Sequence, residues 1–201
     1  MPIDPEALNP DPLAELADWV DAAEAAGHRL AQAFALATAD ADGRPSVRFV
    51  LLRGITAGGL EFFTNRASLK GRDVAANPRA AAAFWWEHTN RQVRVSGPVA
   101  ELEDAETTAY WDTRPRGHQL AAWASAQSEL VADRRAMELN VDLVTARFAG
   151  EPAVPLPPFW GGYRLAAEVV EFWESRDDRL HDRIEFRRAP DGTWEWRRLQ
   201  P

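Results

Sequence analysis

Four groups of residues in this sequence have the types and spacing to do chemistry. The first is Arg48-Phe49-Val50-Leu51-Leu52-Arg53. In a strand, a period of two sends Arg48, Val50 and Leu52 to one face and Phe49, Leu51 and Arg53 to the other. Arg48 then shares a face with apolar residues, where an unpaired charge is costly. It reads either as an arginine snorkelling at a rim or as part of an anion site. The second group is Phe63-Thr64-Asn65 followed by Ser68-Leu69-Lys70. With Ser68 as N-cap, Lys70 falls in the first turn of a helix, where free N–H groups and the helix dipole attract anions and disfavour a cation. A bound phosphate would reverse that sign; a solvated surface lysine is the alternative. Lys70 is the single lysine among 23 basic residues.

The third group gathers Arg114-Pro115-Arg116-Gly117-His118-Gln119 and Trp123-Ala124-Ser125-Ala126-Gln127-Ser128 in what reads as a Pro/Gly-braced loop. Guanidiniums, an imidazole, amides and hydroxyls at this density suit a phosphate and a polar ring. The fourth is Glu171-Phe172-Trp173 with Arg179-Leu180-His181-Asp182-Arg183. If His181 opens a strand, it shares a face with Arg183, and Arg179 stands at the strand mouth. Competing chemistries are weak. There is no cysteine, which removes thiolate ligands and nucleophiles. His28, His88, His118 and His181 lack metal-ligand spacing, and no Gly-x-Ser-x-Gly elbow occurs. Basic clusters on separate elements, with aromatics nearby, call for a flat ring and more than one anionic group. A flavin mononucleotide beside a second phosphate meets both demands.

The net charge of −8 does not favour nucleic acid or an anionic membrane as a partner. The N-terminal residues lack the pattern of a signal peptide and no stretch of ~18 apolar residues occurs, so a cytoplasmic protein is expected. The elements that must position the four groups follow from local signals. Asp11-Pro12 opens a helix that Gly27 closes. Short strands are expected at Ala33 to Ala39, Ser46 to Arg53 and Leu60 to Thr64, and a helix from Ser68 to Ala76 stops at Asn77-Pro78. Strands at Ala81 to Trp86 and Gln92 to Leu102 precede a helix at Asp104 to Thr113, and a longer helix covers about Glu129 to Phe148. The chain from Glu151 to Pro158 is extended. Gly162 to Ala166, Val169 to Trp173 and a hairpin around Pro190-Asp191-Gly192 complete about eight strands. This is mainly β with peripheral helices in one barrel-like domain spanning 1–201.

These residues resemble the pyridoxamine 5′-phosphate oxidase family over about Gln32 to Pro201. The similarity is carried by Arg48 to Leu52, Arg114-Pro115-Arg116, Gln127-Ser128, Phe159-Trp160-Gly161-Gly162, Glu171-Phe172-Trp173, Arg179 to Arg183 and Arg198-Leu199-Gln200-Pro201. The resemblance implies an FMN-binding split β-barrel and a homodimer with a site in each of two clefts between subunits. It implies that Arg48 and Lys70 bind the FMN phosphate near Phe63 and Thr64, and that Phe49, Val50, Leu51, Leu52 and Arg53 run along the flavin. Gln92, Trp173 and Arg183 would contact the ring system and ribityl chain. Gln127 and Ser128 would reach an FMN whose Lys70 belongs to the other chain. Arg53, Tyr110, Arg114 and His118 would line the substrate side, with Tyr110 and Arg114 gripping the substrate phosphate. Arg179, Leu180 and His181 would hold the pyridine ring, with Arg179 and His181 as the catalytic pair. The implied reaction takes a hydride from the substrate's C4′ to flavin N5 and returns the electrons to oxygen as hydrogen peroxide.

The departures fall on the substrate side. Arg53 stands where the family usually has Lys, Leu69 where a basic residue often precedes Lys70, and His118 where a small Ser is usual. Met1 to Pro10 contains neither the Arg nor the Tyr of the family's lid. The leading expectation is oxidation of pyridoxamine or pyridoxine 5′-phosphate to pyridoxal 5′-phosphate. The alternatives are an FMN oxidase of the phenazine-biosynthesis type, or a protein that binds flavin or pyridoxal phosphate without turnover.

Overall fold

A computed structural model describes residues 3–201. Met1 and Pro2 lie outside the described residues, so the expectation about the N-terminal segment is followed from Ile3 onward. Helix α1 (Pro12–Ala25) begins as its sequence demands: the Asp11 carboxylate accepts the Leu13 N–H at 3.0 Å and Pro12 occupies the first turn. Leu13, Leu16, Trp19, Val20 and Ala23 recur at helical spacing and are buried. Gly27, at φ +92°, lets the chain leave the helix.

Ten strands follow: β1 (Ala33–Ala39), β2 (Pro45–Leu51), β3 (Gly54–Thr56), β4 (Gly59–Asn65), β5 (Arg79–Trp86), β6 (Arg91–Glu101), β7 (Trp160–Leu165), β8 (Val169–Glu174), β9 (Asp182–Arg188) and β10 (Trp194–Arg198). The main path runs β10-β9-β8-β6-β5-β1-β2, while β3, β4 and β7 form a second layer. All the pairings are antiparallel. β6 belongs to both layers: up to Ser96 it pairs with β8, and from Val99 it pairs with β7. Gly97 sits at the switch, where a Cβ would collide with the Ala166 carbonyl. The sheet therefore curls on itself into a split barrel.

Three sequence expectations change. The strand expected over 46–53 ends at Leu51, because Leu52 N–H turns to Gln32 O while Arg53 N–H goes to Glu61 O. That change of partner releases Gly54–Thr56 as a separate strand against β4. The stretch read as a Pro/Gly-braced loop contains a helix, α4 (Arg116–Ala124), with Pro115 at its N-cap. Gly117 sits in its first turn, where a glycine does not break a helix. The remaining helices are α2 (Leu69–Ala76), α3 (Asp104–Thr113) and α5 (Arg134–Arg147). The last is shorter than expected because Asp133, whose carboxylate accepts the Ala136 N–H, starts it late.

The sheet's two faces follow from the register. Val50, Phe34, Phe84, Val93, Phe172 and Ile184 lie in one cross-strand row that faces the core. The next row outward joins Trp85, Gln92, Trp173 and Arg183. A smaller apolar cluster of Trp111, Phe148, Val154 and Trp160 fixes α3 and α5 to the start of β7.

Candidate functional site

One cavity of about 550 Å³ gathers most of the first three groups. Arg48, Phe49, Val50, Leu51 and Arg53 reach it from β2 and its end, Phe63 and Thr64 from β4, and Lys70 from α2. Tyr110 comes from the last turn of α3, Arg114 caps that helix, and Gln127 and Ser128 come from the loop after α4. Ser46, Val47 and Leu69 also line it, and no pattern in the sequence singles out the first two. Leu52 does not; it is buried in the core. The alternation on β2 holds, since Phe49 is 78% exposed while the Arg48 side chain turns inward.

The cavity's chemistry is cationic. Lys70 is 8% exposed, and its Nζ lies 3.2 Å from Thr64 Oγ1, 3.3 Å from Ser68 Oγ and 3.1 Å from Gln127 Oε1. Burial and the neighbouring Arg48 charge push its pKa down to about 8, against an opposing pull from Asp73. Arg48 is held by Leu36 O at 3.1 Å, Thr38 Oγ1 at 2.7 Å, Ser46 Oγ and the Asp73 carboxylate at 3.5 Å. Desolvation lowers its pKa too. Arg114 lies over the Trp160 ring at 4.9 Å and the Trp111 ring at 5.7 Å. Its Nε is buried with no hydrogen-bond partner. An orphaned cationic N–H is stabilised by an incoming anion. Tyr110 stacks on Phe63 at 3.9 Å, and Arg53 reaches over Tyr110 at 5.9 Å. A planar ring carrying a phosphate fits such a set: desolvated cations and hydroxyls at one wall, exposed Phe49 and the β2 backbone at another.

Gln127 and Ser128 share this cavity with Lys70 of the same chain. The expectation that they approach one FMN from a different chain than Lys70 is corrected here. The loop after α4 folds back onto α2, where Leu69 N–H donates to Ser128 Oγ at 3.1 Å and Arg72 pairs with Glu129 at 2.9 Å. His118 lies outside this cavity, in an adjoining one of about 330 Å³ that shares Phe63, Thr64, Arg114 and Gln127 with it. None of residues 3–10 lines the main cavity. Ile3 is buried, and its carbonyl accepts from Arg198 at 2.7 Å.

The fourth group is elsewhere. Gln92, Trp173 and Arg183 stand side by side on β6, β8 and β9. Trp85 extends the row at 6.0 Å from Trp173, and His181 packs on Trp173 at 4.7 Å. Arg183 Nε donates to the buried Glu171 at 2.8 Å, and NH1 donates to Gln200 O at 2.9 Å. The Glu171 bond raises the Arg183 pKa. The tight turn before β9 shapes the rest: Arg179 N–H donates to Arg176 O, Leu180 N–H to Asp178, and Arg176 N–H to His181 Nδ1 at 3.0 Å. With Nδ1 accepting, neutral His181 carries its proton on Nε2. Arg179 sits at φ +67°, which costs an ordinary residue about 1 kcal/mol. From β2 to β9 is five strand steps, roughly 24 Å along the sheet. One chain therefore brings together Arg48, Lys70 and Arg114, and separately Gln92, Trp173, His181 and Arg183.

The pyridoxamine 5′-phosphate oxidase profile matches residues 21–148, and the pyridoxine 5′-phosphate oxidase C-terminal dimerisation region matches residues 160–201. The chain is 52% identical over 201 residues to the pyridoxine/pyridoxamine 5′-phosphate oxidase of Anaeromyxobacter dehalogenans, covering all of both chains. It is 50% identical over 192 residues to that of Cupriavidus necator, covering 96% of this chain and 90% of the relative. Among solved structures, PhzG from Burkholderia lata in complex with tetrahydrophenazine-1-carboxylic acid superposes with a TM-score of 0.91 at 33% identity, over 99% of this chain and 98% of that one. An FMN-binding protein from Nostoc punctiforme, 19% identical with a TM-score of 0.71, shares the fold. The oxidases of this family use FMN, and the chain carries the family's dimerisation region. The chain belongs to the pyridoxamine 5′-phosphate oxidase family.

Proposed function

We propose that this chain oxidises pyridoxamine or pyridoxine 5′-phosphate to pyridoxal 5′-phosphate. In our reading it acts as a homodimer in which the cavity of one subunit faces the β6-β8-β9 row of the other. The observation that carries this is the partition of complementary groups on one sheet. Desolvated cations sit at the β2 end, and an aromatic row with His181 and Arg183 sits at the β9 end. A two-fold axis puts the same two patches opposite each other twice, so each site is completed by the partner.

Within that arrangement Lys70 and Arg48 hold the FMN phosphate, aided by Thr64, Gln127 and Ser128, and Phe49 to Leu51 line the ring's edge. Tyr110 and Arg114, with its free Nε–H, hold the substrate phosphate. The partner's contribution comes from the row: Trp173 and Gln92 bound the ring system, while Arg179 and His181 orient the pyridine ring. His181 donates through Nε2 because Nδ1 is held by Arg176. Arg179 is presented outward by its left-handed backbone and offers charge-assisted bonds to an anionic phenolic oxygen. The protein's main share of catalysis is positioning the reacting carbon. FMN held by these residues would supply the hydride acceptor and the route of the electrons to oxygen, with hydrogen peroxide as the reduced product.

The deciding experiment is peroxide release by the yellow dimer with each phosphorylated vitamer. Turnover with neither would overturn this reading. A second reading, an oxidase of reduced phenazine-type carboxylic acids, is favoured by His118 in the cavity adjoining Arg114 and by the 33% identity to PhzG. Turnover of such an acid in preference to both vitamers would select it.

A further inference from the structure

Behind the cavity lies a buried chain of polar groups that none of the roles above uses. Asp73 on α2 is 3% exposed. Its carboxylate accepts the Thr38 hydroxyl from β1 at 2.5 Å, and Thr38 Oγ1 in turn accepts Arg48 NH1 at 2.7 Å. Arg48 NH2 lies 3.5 Å from the same carboxylate. Because Thr38 spends its proton on Asp73, its lone pairs face Arg48, so the hydroxyl acts as a directed acceptor. Leu36 O and Ser46 Oγ engage the remaining terminal N–H groups. The guanidinium is thereby held through both terminal nitrogens in one orientation at the cavity wall, and its Nε–H is not among these bonds. A flexible arginine would lose several rotamers on binding an anion; a clamped one has already lost them.

We propose that Asp73 and Thr38 are positioning residues that clamp Arg48 for the FMN phosphate and so set the preference for FMN over unphosphorylated riboflavin. This rests on the reading of Arg48 as a phosphate ligand. A merely structural network tying α2 to β1 would support both flavins equally, and that difference makes the proposal testable. The same carboxylate favours the charged form of Lys70, so the clamp also offsets the crowding of two cations at one wall.

The test is titration of FMN and of riboflavin into the apo dimer, followed by flavin fluorescence. Thr38→Val keeps the shape, removes the hydroxyl and changes no charge. It is expected to weaken FMN binding about tenfold, the scale of one hydrogen bond to a charged group, while riboflavin binding stays within about twofold. Thr38→Ser, which keeps the hydroxyl, is expected to restore the wild-type ratio. Equal weakening of both flavins by Thr38→Val, or no change in either, overturns the clamp. Arg48→Ala is the control for the reading beneath it. If Arg48→Ala lowers the FMN-to-riboflavin ratio and Thr38→Val does not, the clamp alone fails; if Arg48→Ala leaves the ratio unchanged, the phosphate assignment fails with it.

Discussion

Arg48 and Arg183 sit at opposite ends of one sheet and each leans on a buried carboxylate, yet they are tuned in opposite directions. Arg48 is desolvated, its pKa lowered, with Lys70 as a second cation beside it and only Asp73 against them. Arg183 is part-buried, its pKa raised by a direct bond to Glu171, which Arg94 also approaches at 3.3 Å. The first wall carries positive charge in excess and is stabilised by an anion. The second holds Arg183 in a direct bond to its carboxylate and presents aromatic faces and N–H groups to a ring. The difference separates phosphate binding from ring orientation along the sheet, and losses at the two ends should differ in kind.

The largest effect is expected at the ring-orienting end. Arg179→Ala should keep its yellow colour yet lose on the order of 10²-fold in kcat/KM, roughly 2.7 kcal/mol of transition-state stabilisation. Steady-state assays beside a flavin absorbance spectrum check both halves, and normal turnover would mean the pocket is arranged differently. At the cationic end, Lys70→Ala should weaken FMN binding at least about tenfold, with activity recovered by added FMN. Dialysis followed by reconstitution separates this from a direct catalytic loss.

The Lys70 pKa of about 8 gives the same end a pH signature. Phosphate binding favours charged Lys70, so FMN affinity should be level below pH 8 and fall as the pH rises through it. Titration of the apo dimer from pH 6.5 to pH 9.5 reads this, and Lys70→Ala should flatten the profile. The smallest effect should come from Glu171→Gln. Gln keeps an acceptor oxygen for Arg183 Nε and Arg183 keeps its Gln200 contact, so a loss of only a few-fold in activity is expected, with little change in the pH profile.

Much of the cationic wall was legible in the sequence. Arg48 on an apolar strand face and the lone Lys70 in a helix's first turn break local rules that an anion would repair, and both line the cavity. Asp73 was not legible: an aspartate within Gly71-Arg72-Asp73-Val74 reads as a solvated helix residue, and only the packing of α2 on β1 buries it. Helix α4 was hidden by Pro115 and Gly117, which mark a loop unless the proline caps a helix. Strand order is non-local. Nothing in the spacing of residues told that Gln127 and Ser128 return to Lys70 of their own chain while Trp173 and Arg183 stand four and five strands from the β2 edge.

The division of one site between two subunits is tested most directly by complementation. A purified dimer pairing one Lys70→Ala subunit with one Arg179→Ala subunit places both defects in one site and leaves the other site intact, if the two ends meet across the two-fold axis. Such a dimer should regain about half of the wild-type activity, although each parental homodimer is nearly inactive without added FMN. A mixed dimer no more active than its parents would contradict the division, because it would place Lys70 and Arg179 of the same chain in the same site.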